Sequence, residues 1–228
     1  MKKHNHAGWW AVLTILLLLV IDQVIKVWVK THMSLGESID ITSWFKIVFI
    51  ENNGMAYGMT FFNKIVLSLF RIVAVTAIGI YIYNVVKGKH HFGFIVCLAM
   101  LFAGAAGNIF DCLFYGQIFT VSTPFNVAEL VPFGQGYASV LEGRVVDMFY
   151  FPLFEFNWPD WLPYIGGKHH IFFSPVFNFA DSCISVAVVL LLIFYRSDLE
   201  TFNEEIGYKL KVASKNKETS ADKSDDKK

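Results

Sequence analysis

A few ionisable side chains interrupt the long apolar runs of this 228-residue sequence. Within the runs they are Asp22, Lys26, Arg71, Asp111 and Asp181, and Asp147 lies in an apolar stretch nearby. Because a charge is costly to bury in an apolar environment, each of them needs either a partner or a chemical role. Asp22 and Lys26 are four residues apart and share a helix face, so we predict that they form an ion pair.

Two of the aspartates follow an asparagine by three residues. Asn108 and Asp111 end one apolar run, after the small residues 104–107, and Asn178 and Asp181 open another. Residues three apart share a helix face, so each pair can hydrogen-bond a neighbouring helix that the small residues allow to approach. For Asp181 two functional interpretations stay open at this point: a proton or ion relay, or one half of a catalytic carboxylate pair.

A carboxylate pair can hydrolyse a peptide bond without a metal ion. Two neighbouring carboxylates share one proton near neutral pH, because both ionise only with difficulty. The ionised member activates water as a general base, and the protonated member polarises the peptide carbonyl. The sequence contains no H-E-x-x-H motif, no G-x-S-x-G motif and no Walker-type phosphate loop. We therefore predict that the protein uses no metal and no cofactor.

Four apolar segments must position these groups. Each has about 20 residues or more, enough for a helix to cross ~30 Å of hydrocarbon. The predicted spans are about 7–29, 65–86, 92–115 and 171–195. The first has a basic start but no small-residue cleavage site, so we expect a retained span. Lysine and arginine are concentrated at the short flanks, which predicts cytoplasmic termini and outward-facing loops at 31–64 and 116–170.

The predicted fold class is an all-α membrane protein of four transmembrane helices with a small β-rich outer subdomain. Residues 39–50 are rich in β-formers and predict one or two strands. We expect one membrane-embedded domain over residues 1–200 and a cytoplasmic tail over 201–228, whose polar end is typical of disorder. The 19 basic and 19 acidic residues give no net charge, so we predict no nucleic-acid partner.

Five motifs, taken in order, resemble the lipoprotein signal peptidase (signal peptidase II) family. They are Asp22-Gln23-Val24-Ile25-Lys26, Asn52-Asn53-Gly54-Met55-Ala56-Tyr57-Gly58, Gly107-Asn108-Ile109-Phe110-Asp111, Gly143-Arg144-Val145-Val146-Asp147-Met148 and Phe177-Asn178-Phe179-Ala180-Asp181. Each motif alone is a weak signal. The five motifs together are a specific signal, because they occur in the family's order on predicted spans and outer loops. They cover roughly residues 10–195.

The resemblance implies a membrane aspartic endopeptidase. Such an enzyme removes signal peptides from diacylglyceryl-modified prolipoproteins, cutting on the amino-terminal side of the lipidated cysteine. The resemblance assigns the catalytic aspartates to Asp147 and Asp181. The site-supporting or substrate-binding positions that it implies are Asp22, Lys26, Asn52, Gly54, Asn108, Asp111, Arg144, Asn178 and Ala180.

The resemblance also implies the location, the partners and the inhibitors of the protein. We expect a bacterial cytoplasmic (inner) membrane protein with its active site near the outer face. Its partners would be lipid-modified prolipoproteins and membrane lipid, and globomycin-type compounds would inhibit it. Nothing in the sequence demands more than a monomer.

Two features depart from the family pattern. Cys112 stands where the family usually has arginine after the aspartate of the third motif. We take Arg144 as the candidate to supply that positive charge. Residues 117–142 form a long stretch where the family has a short connection, and we interpret it as a lid or a species-specific surface.

Two other functions stay open on the sequence alone. A small transporter or proton-coupled carrier would use Asp22, Lys26, Asp111 and Asp181 as a relay, although four spans without a repeat are few for a transporter. A non-catalytic assembly or chaperone protein would need its aspartates only for structure. Asp→Asn variants distinguish that case, because they would keep its activity.

Overall fold

A computed structural model describes residues 5–52, 64–88, 90–201 and 204, which include four longer helices, one three-residue helix and two short β-sheets. The helices are α1 (Asn5–His32), α2 (Lys64–Lys87), α3 (Phe92–Phe110) and, after a short α4 (Gly116–Ile118), α5 (Phe179–Phe194). A π-helical turn, Asp111–Tyr115, joins α3 to α4. In the described part of the chain, α1, α2 and the helical run 92–118 are long and apolar enough to cross a membrane.

The last helix begins later than the start at residue 171 that the apolar run predicts. Residues 169–172 and 176–177 pair as strands instead. Asn178 then caps α5: its side chain accepts the N–H of Asp181, and the Asp181 carboxylate accepts the N–H of Asn178. This reciprocal capping box starts the helix at Phe179. With 16 residues, α5 is about 24 Å long at 1.5 Å per residue, so a complete fourth span stays a prediction.

Six strands in the described part of the chain form an antiparallel sheet and a separate hairpin. They are β1 (Ser38–Asp40), β2 (Lys46–Asn52), β3 (Val145–Tyr150), β4 (Phe154–Asn157), β5 (His169–Phe172) and β6 (Val176–Phe177). The sheet has the order β1-β2-β3-β6, and β4 pairs with β5. The prediction of one or two strands over 39–50 is confirmed by β1 and β2, whereas the other four strands were not predicted.

The pairing of β2 with β3 determines which side chains share a face. Ile50 lies opposite Asp147 and Glu51 lies opposite Val146, after a register shift between Ile47 and Ile50. Because side chains alternate along a strand, Asp147 and Glu51 point to opposite faces of the sheet. The face of Val146 packs on the end of α1 and on the chain after α3, in a cluster with Val29, Met33, Phe49, Tyr115, Phe119 and Met148.

Residues 117–142 fold back on the end of α3. Phe119 bridges to Leu130, and Tyr137 donates its N–H to the Phe119 carbonyl. Phe119 is fully buried and Ser122 nearly so. This segment therefore belongs to the packed core that the sheet forms with the end of α1.

Candidate active site

The centre of the site is the ammonium group of Lys26, which is fully buried. Its Nζ lies 3.0 Å from Asp22 Oδ2, 2.8 Å from Asp111 Oδ2 and 2.8 Å from Asn108 Oδ1. The predicted Asp22–Lys26 ion pair is thus confirmed. Three acceptors for three N–H donors satisfy the buried cation, which is the condition under which a protein interior tolerates one.

Asp22 also joins the first helix to the last. Its Oδ1 accepts the N–H of Ala180 at 3.0 Å. The close packing depends on Gly107, where a Cβ would lie only 2.6 Å from Asp22 Oδ2. The small residues before Asn108 therefore serve the close approach that the sequence predicted.

Two further side chains complete this polar centre. Gln23 Nε2 donates to Asp111 Oδ1 at 2.9 Å and to Asp22 Oδ2 at 3.1 Å. Tyr115 donates its hydroxyl to Gln23 Oε1 at 3.1 Å. Sequence reasoning gave neither residue a role. The signals that could have found them are an uncharged polar side chain inside a span, and a tyrosine one turn after Asp111.

Asn108 connects the cation to Asp181. Its Oδ1 accepts from Lys26, and its Nδ2 donates to Asp181 Oδ1 at 2.8 Å. The carbonyl end of this amide is fixed by the ammonium, so its nitrogen must point at the carboxylate. The α5 capping box fixes Asp181 from the other side.

Asp147 on β3 is held by two amide groups at the end of the site formed by the sheet. Asn178 Nδ2 donates to its Oδ1 at 2.7 Å, and Asn52 Nδ2 donates to its Oδ2 at 3.1 Å. The same Asn178 nitrogen lies 3.1 Å from Asn108 Oδ1. Burial, and then the nearby charge of Asp181, raise the pKa of Asp147 to about 7. A carboxyl group with that pKa is able to hold or release a proton near neutral pH.

Most of the predicted site residues therefore meet in one network. Those brought together are Asp22, Lys26, Asn52, Asn108, Asp111, Asp147, Asn178, Ala180 and Asp181. Gly54 lies outside the described residues. Among the residues that the structure describes, no group of three His, Cys, Asp or Glu could hold a metal ion.

The positive charge near Cys112 comes from a residue that sequence reasoning did not select for it. Arg71 of α2 places its NH1 atom 3.6 Å from Cys112 Sγ. Arg144, the candidate from the sequence, instead donates from NH1 to Glu51 Oε2 at 2.9 Å. The contact of Arg71 could be anticipated only from the cost of an arginine inside a span.

Comparisons with known proteins give one consistent result. The family model for signal peptidase (SPase) II matches residues 14–196. A lipoprotein signal peptidase of Porphyromonas gingivalis ATCC 33277 is 53% identical over 185 residues, which cover 79% of this chain and 80% of that protein. One from Amoebophilus asiaticus is 34% identical over 192 residues, covering 81% and 77%.

A solved structure described as a bacterial membrane enzyme, determined by the in meso method, has a similar fold. Its TM-score is 0.54 at 23% identity, and the match covers 84% of this chain and 90% of that chain. At this identity the likeness concerns the fold alone.

Proposed function

This chain belongs to the signal peptidase II family, and from that premise we propose that it is the membrane aspartic endopeptidase that removes signal peptides from diacylglyceryl-modified prolipoproteins. The cut falls on the amino-terminal side of the lipidated cysteine. The catalytic pair is Asp147 and Asp181.

One observation carries the assignment of the pair. Amide groups join the two carboxylates: Asn108 donates to Asp181, Asn178 donates to Asp147, and Asn178 also donates to Asn108. The pKa of Asp147, raised to about 7 by burial and then by the charge of Asp181, fits a pair that shares one proton.

The chemistry follows from that shared proton. The ionised member takes a proton from water as the water attacks the scissile carbonyl carbon, and the protonated member donates to the carbonyl oxygen. Proton return to the leaving amine then completes the hydrolysis. The asparagine amides hold both carboxylates before substrate arrives, so little reorganisation is needed in the transition state.

The remaining family positions support this pair. Asp22, Lys26 and Asp111 form the ionic base on which Asn108 is oriented, and Asn52 and Ala180 are held beside the two aspartates. We infer that Gly54 and Arg144 contact substrate or support the site, because they match positions of the family motifs. Both termini are cytoplasmic, the pair lies near the outer face of the inner membrane, and the monomer is the active unit. Globomycin-type compounds inhibit the enzyme.

A gel-shift assay tests the proposal directly. Purified protein in detergent receives a diacylglyceryl-modified prolipoprotein, and loss of the signal peptide is followed with time. We expect cleavage by the wild type and by Asp160→Asn, an exposed aspartate that serves as a matched control. Asp147→Asn and Asp181→Asn should be folded and inactive. Substantial turnover by either of these two variants would refute the assignment of the pair.

A further inference from the structure

A second buried charge cluster lies one helical turn beyond Lys26 on α1. Lys30 is fully buried, and its Nζ contacts Glu51 Oε1 and lies 2.9 Å from Ser122 Oγ. Ser122 Oγ also donates to Glu51 Oε1 at 2.8 Å. Three aromatic rings enclose the ammonium at 5.9, 5.3 and 5.2 Å, those of Phe49, Phe119 and Tyr137.

Arg144 occupies the other oxygen of the Glu51 carboxylate. Its NH1 lies 2.9 Å from Glu51 Oε2. Burial by itself would raise the pKa of Glu51, but Lys30, with smaller contributions from Ser122 and Arg144, holds that pKa below its usual value. Glu51 is therefore an anion that ties together α1, the end of β2, the chain entering β3 and the 117–142 segment.

The Glu51 carboxylate lies next in sequence to a residue that contacts the catalytic pair. Glu51 precedes Asn52, which donates to Asp147, and its own side chain points to the opposite face of the sheet. The β2–β3 ladder is irregular between Ile47 and Ile50, immediately before Ile50 pairs with Asp147. A bulge bends and twists the strand locally, so the ladder alone fixes Asp147 less firmly at this point.

We propose that Glu51 is a positioning residue for the catalytic pair, and that residues 117–142 serve catalysis by supplying Ser122 to it. The contacts of Glu51 with Lys30 and Arg144 hold the end of β2 against β3 from the sheet face opposite to Asp147. Asn52 is thereby kept within hydrogen-bond reach of Asp147 Oδ2. This inference rests on the proposed function, because it takes Asp147 as a member of the pair.

Two variants loosen this anchor to different degrees. Glu51→Gln keeps the shape of the side chain but removes the charge and turns an N–H₂ group towards a cation. Ser122→Ala removes one hydroxyl and leaves the contacts of Glu51 with Lys30 and Arg144 in place, so it serves if Glu51→Gln fails to fold. Since a displacement of 1 Å can cost about 100-fold in rate, we expect kcat to fall about 10- to 100-fold in Glu51→Gln and less in Ser122→Ala. KM should stay within about twofold.

The pH profile separates positioning from simple destabilisation. The hydrogen bond from Asn52 favours the ionised form of Asp147, as does the charge of Lys26 on α1, while Asp181 on α5 opposes it. Loss of the Asn52 contact raises the pKa of Asp147, so the profile of kcat/KM should move to higher pH in both variants. A loss of folded protein would lower the profile without moving it.

One control variant changes an ion pair elsewhere in the same sheet, and the other changes residue 122 conservatively. Asp40→Asn breaks the exposed Lys46–Asp40 ion pair between β1 and β2 and should leave rate and profile unchanged. Ser122→Thr keeps the hydroxyl and should restore the wild-type profile. Wild-type kcat in Glu51→Gln and Ser122→Ala, or rate losses that follow the folded fraction with no shift in profile, would overturn the inference. Failure of the wild type itself to cleave would overturn the proposed function, and this inference with it.

Discussion

At the scale of single residues, Asn178 uses one side chain for two purposes. Its Oδ1 accepts the N–H of Asp181 and starts α5, while its Nδ2 donates to Asp147 and to Asn108. Helix capping therefore also fixes the amide that contacts Asp147 of the proposed catalytic pair. Serine at this position would keep the cap, because it is also a good N-cap residue, but it could not reach Asp147.

Asn178→Ser should therefore separate the two purposes. We expect about 100-fold lower kcat, because the amide that aligns Asp147 is lost, with a Tm close to that of the wild type. Asn178→Ala loses the cap as well, at a cost of about 1 kcal/mol. Thermal unfolding in detergent beside the cleavage assay checks both, and a fully active Asn178→Ser protein would contradict the role given to the amide.

The raised pKa of Asp147 has a consequence for stability that can be measured without substrate. Its pKa is about 7 in the folded protein against an ordinary value of 3.8, so the folded state binds the proton more tightly than the unfolded state. Stability from this group is then lost progressively as pH rises from about 4 to above 7. Asp147→Asn should show a higher Tm than the wild type at pH 8, and this difference should shrink towards pH 4. A constant difference at all pH values would contradict it.

At the scale of elements, α3 is the helix on which α1 and α5 both pack, and its glycines set the distances. A Cβ on Gly104 would overlap the carbonyl oxygen of Ala180, and one on Gly107 would approach the Asp22 carboxylate. The site thus depends on two residues with no side chain.

Gly107→Ala tests the close approach of the helices. The added methyl group would lie 2.6 Å from Asp22 Oδ2 and must push this carboxylate away from Lys26 and from the N–H of Ala180. We expect a lower Tm and a loss of cleavage. The matched control is Gly79→Ala, where the Cβ would meet only the edge of the Phe102 ring, at 3.2 Å. Equal Tm values for the two variants would contradict the packing argument.

The elements also show what the sequence could and could not predict. Long apolar runs placed α1, α2 and α3 within a few residues, because hydrophobicity over a whole span decides them. The start of α5 was missed because residues 171–177 are mostly apolar, like the helix that follows, although 171–172 and 176–177 pair as strands.

Within the site, too, local contacts could be predicted from the sequence, whereas long-range contacts could not. The ion pair of Asp22 and Lys26 followed from a local spacing of four residues. The contact of Asn52 with Asp147 joins positions 95 residues apart across a strand register that includes a bulge. No local pattern encodes such a register, so only the family resemblance brought these two residues into one site.

At the scale of the whole molecule, the outside of the helices is apolar. Exposed large side chains on α1, α2 and α5 include Leu16, Leu17, Val20, Phe70, Val73, Leu192 and Ile193. Exposing such a surface to water is unfavourable, whereas contact with lipid tails is not. The sheet and the 117–142 segment lie at one end of these helices, together with the proposed catalytic pair.

Labelling of single cysteines tests which end faces outward. Cys97, Cys112 and Cys183 are buried, so background labelling should be low. Phe125→Cys lies in the 117–142 segment at a highly exposed position, and Ser197→Cys lies just beyond α5. A membrane-impermeant maleimide should label Phe125→Cys in intact spheroplasts and Ser197→Cys only after permeabilisation. The reverse pattern would contradict the proposed orientation.

The bond between Asp22 and Ala180 joins residues 158 positions apart. A ribosome therefore delivers α1 to the membrane long before the residues that complete its polar face have been synthesised. Until then Asp22 and Lys26 can neutralise each other, because they lie one turn apart on the same helix. This ion pair lowers the cost of holding α1 in the bilayer before the other helices pack on it. Asp147 and Asp181, the proposed catalytic pair, share their asparagine contacts only when α5 packs against α3, so we expect an incompletely synthesised chain to have no active site.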